Sequence, residues 1–190
     1  MRALPQFPVD QPPVPQPPVP QSSEHQSPPL RSGAPVSPLT SGADRSATAL
    51  EFRHAESMED LRACHPVMLQ LRPQLTNFDA FAGTVERQRA QGYRLLMACA
   101  NDAPLALAGY RCMDNFIHGR FLYVDDLVTA SAGRGQGIGE HTLGALRRIA
   151  VEQGCAQLVL DTALANSLAQ RFYFRWGLLA RGLHFSMDLA

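Results

Sequence analysis

A mixed α/β fold is what this sequence predicts, and three observations predict it. Segments with period-2 apolar residues alternate with segments whose apolar residues recur every three or four positions, in the order βααβββαβαβ. A glycine-rich turn, Arg134-Gly135-Gln136-Gly137-Ile138-Gly139, joins the fourth strand to the helix after it. Proline divides the chain: twelve of its fifteen prolines precede residue 48, which assigns the fold to residues 48–190 and leaves residues 1–47 as a separate leader.

The leader carries repeats such as QPPVPQPPVPQ and one aromatic residue, Phe7. Such a composition cannot assemble a core and favours extended polyproline conformations, so a disordered Pro-rich leader is expected. Three roles stay open for it: an inert tail, a docking peptide or a secretion address. No apolar run reaches the roughly 18 residues that span a bilayer, and the N-terminus lacks the apolar stretch of a signal peptide. A cytoplasmic protein with no membrane partner is expected.

The elements follow in order. Residues 48–54 place Leu50, Phe52 and His54 on one side and Glu51 and Arg53 on the other, as a strand does. Ser57 opens a helix: with Asp60 it resembles a capping box, and Leu61, Cys64, Met68 and Leu71 follow at helical spacing. Pro66 should kink or divide that helix. A second helix over 78–91 buries Phe78, Phe81 and Val85 and ends at Gly92. Residues 93–100, 105–113 and 120–129 are apolar runs of strand length, separated by the turn Asn101-Asp102-Ala103-Pro104 and a loop around Gly119, which makes a meander. A helix over 137–153, a strand over 156–162, a helix over 166–176 and a last strand over 182–189 complete the chain.

Formal net charge is zero and all seventeen basic residues are arginine, so nothing in the bulk charge argues for nucleic acid. Cys64, Cys99, Cys112 and Cys155 form no C-x-x-C pair and read as reduced core residues. The six histidines are scattered without zinc spacing, and no metal is expected.

Chemistry concentrates at the glycine-rich turn. Glycines allow close backbone approach, free N–H groups at a helix N-terminus can bond pyrophosphate oxygens, and Arg134 adds a full positive charge. An ordinary turn is the competing reading. Two other phosphate motifs fail on spelling. The nucleotide-triphosphate loop ends in G-K-[ST], and this chain has no lysine. A dinucleotide loop read from Gly135 needs glycine where Glu140 stands, although Asp161 ends the next strand about where a ribose-binding acid would.

R-x-x-G-x-G after a strand ending Leu127-Val128-Thr129 resembles the acetyl-CoA loop of the GNAT superfamily of N-acetyltransferases. LYVDDLVT, CAQLVLDT, FYFRWG with a following HF, and the earlier VMLQLRPQL resemble one bacterial group of that superfamily, so the likeness covers most of residues 48–190. It implies a mostly antiparallel central sheet flanked by helices, with the fourth and fifth strands splayed. It also implies an acetyl-CoA-dependent transferase that passes acetyl directly to a primary amine of a small molecule or protein. The alternative is a non-catalytic CoA-binding module that uses the leader for docking. A homodimer stays open, and nothing in the spelling names the acceptor.

Carried over by position, the resemblance implies that Leu127, Val128 and Thr129 pair their backbones with the pantetheine arm. It implies that Arg134, Gly135, Gln136, Gly137, Ile138 and Gly139 hold the pyrophosphate. Asn166 either contacts the cofactor or merely caps its helix. Tyr173 corresponds to the tyrosine that protonates the departing thiolate. A lysine-like amine is neutral in roughly one molecule in 2,500 at pH 7, a penalty of about 4.6 kcal/mol, so an acid near the amine is useful as base or charge partner. Asp125 is the candidate and Asp126 the structural acceptor; on a regular strand the two face opposite ways unless a bulge intervenes. A backbone N–H near Leu127 would stabilise the oxyanion, and Arg72 would line the acceptor pocket. Asp161-Thr162-Ala163, Asn166 and Ala169-Gln170 depart from the group's usual spelling, so the acceptor end is where this chain should differ.

Overall fold

The computed structural model describes residues 50–189, and the leader expected over 1–47 lies outside them. The elements are β1 (Glu51–His54), α1 (Met58–Met68), α2 (Phe78–Arg89), β2 (Arg94–Ala100), β3 (Ala103–Asn115), β4 (Gly119–Thr129), a short 3-10 turn (Ser131–Gly133), α3 (Ile138–Glu152), β5 (Gln157–Leu160) and α4 (Ser167–Arg175). One five-stranded sheet runs β1-β2-β3-β4-β5. Its first four strands are antiparallel neighbours, and β5 joins β4 in parallel. Among the described residues no helix is long and apolar enough to cross a membrane.

Each face of the sheet buries a separate core. On one face Leu61, Cys64, Val67 and Met68 of α1 and Phe81, Ala82 and Val85 of α2 pack on Leu95, Met97, Leu107 and Val128. On the other, Leu143, Leu146 and Ala150 of α3 pack on Leu96, Ala108, Leu122 and Val124, with Phe172, Tyr173 and Trp176 of α4 against them. The period-2 alternation of the strands sorts side chains between these layers. Cys64 and Cys99 are buried thiols; Cys112 and Cys155 are part-buried, with sulfurs 3.7 Å apart.

The capping box at Ser57 and Asp60 forms as its spelling predicts. Pro66 does not divide α1. The helix runs on to Met68 although the ring removes the N–H that would bond the Arg62 carbonyl, and Leu71 falls in the following turn rather than on the helix. The β2–β3 connection is tighter than expected. Asn101 and Asp102, with φ of 49° and 63°, form the whole turn. Pro104 is therefore inside β3, opposite Cys99 at a shift of register, where a residue without N–H is tolerated.

The last strand expected over 182–189 is not formed. Its alternation places Leu183, Phe185, Met187 and Leu189 together, yet all four are 66–90 % exposed. A period of two says which side chains would share a face; it cannot supply the ladder partner that makes a strand.

Candidate functional site

Pairing between β4 and β5 covers only Phe121–Val124 against Gln157–Leu160. Beyond that point β5 ends while β4 runs on through Leu127, Val128 and Thr129, bonded to β3 on its other side. The two strands thus open a cleft whose β4 wall has backbone groups with no strand opposite.

The cleft leads to the glycine-rich turn. Ser57, Asn77 and Asn166 cap α1, α2 and α4 with side-chain oxygens. At α3 the N-cap is Gly137, which has no side chain to offer, so the N–H groups of the first turn have no acceptor in the helix. Gly137 adopts φ 75°, a left-handed conformation that disfavours any other residue, and Gly135 does the same. Nothing lies within 4 Å of where a Cβ would stand at either position. Arg134 donates from Nε to the Thr129 carbonyl at 3.3 Å, and Gln136 to the Ala132 carbonyl at 2.9 Å. Gly139 packs close to Thr129 and Phe172, which brings α3 against both β4 and α4. These dipoles and open N–H groups fit an anionic diphosphate.

Asn166 caps α4 by accepting from the Ala169 N–H at 3.2 Å. Tyr173 is half-buried, its ring edge-on to Phe172 at 5.4 Å, and burial pushes its phenol above the ordinary value, so it stays protonated at neutral pH.

On the face toward α1 and α2, a bulge decides the orientation of the two aspartates. Gly109 pairs with Asp126 while Tyr110 pairs with Val124, so Asp125 is the extra residue and both carboxylates lie on one face. Asp125 receives two hydrogen bonds from Arg111, Nε at 2.9 Å and an η-nitrogen at 3.0 Å. Burial raises its pKa, and the Arg111 guanidinium opposes that rise. Asp126 accepts from Arg72 Nε at 2.9 Å and from the Tyr93 hydroxyl at 3.1 Å. Arg72 also donates to the Asp125 carbonyl at 3.1 Å, which ties the segment after α1 to the cleft. Burial, and then Asp126, push the Tyr93 phenol well above its ordinary value.

Farther along the same face the Tyr123 hydroxyl donates to Asp161 Oδ2 at 2.6 Å. Burial and that bond push Tyr123 up to about 12. His184 Nδ1 lies 3.0 Å from the same oxygen.

The structure thus places Leu127 to Thr129 on the part of β4 that β5 does not pair and Arg134 to Gly139 in the segment that leads into α3, while Asn166 caps α4 and Tyr173 lies within that helix. Arg111, Tyr93, Tyr123 and His184 are partners that sequence reading missed. Arg111 had a signal: a charged residue inside the apolar run LALAGYRCM requires a buried counter-ion.

The sequence matches the model of the Acetyltransferase (GNAT) family over residues 55–178. No curated protein matches it. Among solved structures, an aminoglycoside N-acetyltransferase, AAC(6')-Iy, in complex with CoA superposes with a TM-score of 0.66 at 18 % identity, covering 78 % of this chain and 99 % of that one. A ribosomal-protein-alanine N-acetyltransferase from Brucella melitensis superposes at 0.65 and 17 %, covering 75 % and 100 %. An acetyltransferase of Trypanosoma brucei does so at 0.62 and 21 %, covering 74 % and 100 %. At such identities these neighbours speak for the fold alone, but the family match takes in well over half of the chain. By that match, joined to a cleft and turn of the right form, the chain belongs to the GNAT family of acetyltransferases, whose acyl donor is acetyl-CoA.

Proposed function

We propose that residues 48–190 form an acetyl-CoA-dependent N-acetyltransferase domain that passes acetyl directly to a primary amine of a small molecule or protein. One observation carries the reading. The part of β4 that β5 does not pair leads into a turn that presents a helix N-terminus with no side-chain cap. In this reading Leu127, Val128 and Thr129 hold the pantetheine arm by their backbones. The pyrophosphate sits on the turn, with Arg134 supplying charge and Asn166 lying at the rim.

The amine attacks the thioester carbonyl, a backbone N–H near Leu127 stabilises the oxyanion, and the Tyr173 phenol protonates the leaving sulfur. Asp125 serves as a charge partner at the acceptor side, since Arg111 occupies both of its oxygens. The family neighbours named for aminoglycosides and for ribosomal-protein alanine act on amines of both size classes, which supports N-acetylation without choosing between them.

The test is thermal unfolding of the full chain with acetyl-CoA, with NAD and ATP as controls. A hundredfold excess over Kd should stabilise by about 2.7 kcal/mol. The gain should be selective and should vanish in Gly137→Glu, whose unliganded melting temperature is recorded separately because φ 75° strains any side chain. No shift at millimolar acetyl-CoA would refute the proposal.

A further inference from the structure

An amine acceptor, on the acetyl-transfer reading above, must give up a proton before it can attack, and the carboxylates nearest the strand bulge are not free to take it. Asp125 is bonded through both oxygens to Arg111, and Asp126 to Arg72 and Tyr93. Each aspartate has its own guanidinium, so neither carboxylate is placed to take a proton.

Asp161 differs. It stands one residue past the last β4–β5 pair, at the mouth of the cleft, and on the same face as Tyr123. The Tyr123 hydroxyl and His184 Nδ1 both meet its Oδ2, at 2.6 and 3.0 Å. Among the described residues the only cationic side chain within 4 Å is the imidazole, which is charged only when protonated. His184 is 67 % and Asp161 48 % exposed, so an incoming amine can reach both.

We propose that His184 is the catalytic proton acceptor for the amine, with Asp161 and Tyr123 as its positioning residues. The carboxylate accepts the Nδ1 hydrogen, which selects the tautomer with a lone pair on Nε2. An alkylammonium passes one proton to Nε2, and Asp161 stabilises the imidazolium that results. The freed nitrogen lone pair forms the C–N bond, the C–S bond breaks, and the sulfur takes the Tyr173 proton. The second amine proton restores that phenol, and the His184 proton leaves to solvent. Among the described residues the imidazole meets Asp161 at the end of β5, which Tyr123 of β4 also bonds, and Asp125 and Arg111 act on Tyr123 in turn.

The experiment compares the full-length chain with His184→Gln and His184→Ala, using 1,4-diaminobutane, neamine and Nα-acetyl-lysine amide as probe amines, and measures acetyl-CoA binding in parallel. Glutamine can still bond Asp161 but cannot take a proton. It should lower kcat on the best amine about a hundredfold while KM and acetyl-CoA affinity change by less than about twofold. The alanine variant should lose as much and regain part of it when imidazole is added. A glutamine variant with unchanged kcat, or an alanine variant that imidazole does not help, overturns the role of His184. So does a chain that binds acetyl-CoA and acetylates none of the three amines. A chain that binds no acetyl-CoA overturns the transferase reading itself, and the role of His184 with it.

Discussion

The Tyr93 phenol fills the space where Gly109 has no side chain: an ideal Cβ at position 109 would stand 2.1 Å from the phenol oxygen and 2.5 Å from the carbon that bears it. The missing side chain lets a buried tyrosine cross β3 and donate to Asp126 at 3.1 Å. Gly109→Ala must therefore move the ring and break that bond. The expected cost is about 1–3 kcal/mol from overpacking, with a further loss for the stranded phenol. Gly182→Ala, where a Cβ meets open space, should stay within about 0.5 kcal/mol; thermal unfolding of the two variants compares them.

Arg111 and Asp125 are 16 % and 22 % exposed and bond through two nitrogens. Asp125→Ala leaves a poorly solvated guanidinium without its partner, so a loss of about 3–5 kcal/mol is expected, together with reduced activity. Asp125→Ala combined with Arg111→Ala should be less harmful than the sum of the single changes. A double-mutant cycle by urea unfolding reads this coupling, and strict additivity would show that the pair is not a unit.

His54 lies half-buried with Nε2 2.8 Å from the Tyr110 hydroxyl, and burial, then Arg94, push its imidazole below the ordinary value. Between that lowered value and the unfolded value of about 6.5, the unfolded chain binds more protons than the folded one. This contribution to stability is therefore complete above about pH 6.5 and is lost as pH falls through the window. Unfolding free energies measured from pH 8 to 5 should decline less steeply in His54→Gln than in the parent.

At the start of α1, Asp60 accepts from the Ser57 N–H at 3.0 Å and pairs with Arg53, which, with Ser57, holds its carboxyl well below the usual range. Its stabilisation is present above the unfolded value of about 3.9 and disappears as pH falls toward the folded one. Ser57→Ala should cost about 1 kcal/mol at pH 7 by removing the cap that the Asp60 N–H uses. Chemical denaturation measures it.

The helices and the four antiparallel strands were legible because their signals are local. Ser57 with Asp60, the spacing of Phe78, Phe81 and Val85, and the apolar runs of β2 to β4 each act within a few residues. The glycine-rich turn was legible for the same reason. The partners of Asp125, Asp126 and Asp161 were not, because these groups meet across separate elements: Arg111 with Asp125 over 14 positions, Tyr93 with Asp126 over 33, Tyr123 with Asp161 over 38. No periodicity records such partners. The bulge is not legible in β4 alone for a related reason, since its extra residue is defined by β3 opposite it. Residues 182–189 have the apolar alternation of a strand but no ladder partner.

The extra residue at Asp125 also sets the two ends of β4 half a period out of phase. Before it, even-numbered residues such as Leu122 and Val124 face α3; after it, Leu127 takes that side and Val128 the other. The strand thus has a frame, much as a coding sequence does. Removing one residue between Val124 and Leu127 would turn the whole Leu127–Thr129 wall and the start of the α3 turn upside down, although every remaining side chain would be the native one. A second change of one residue, restoring the count before Thr129, should suppress the first.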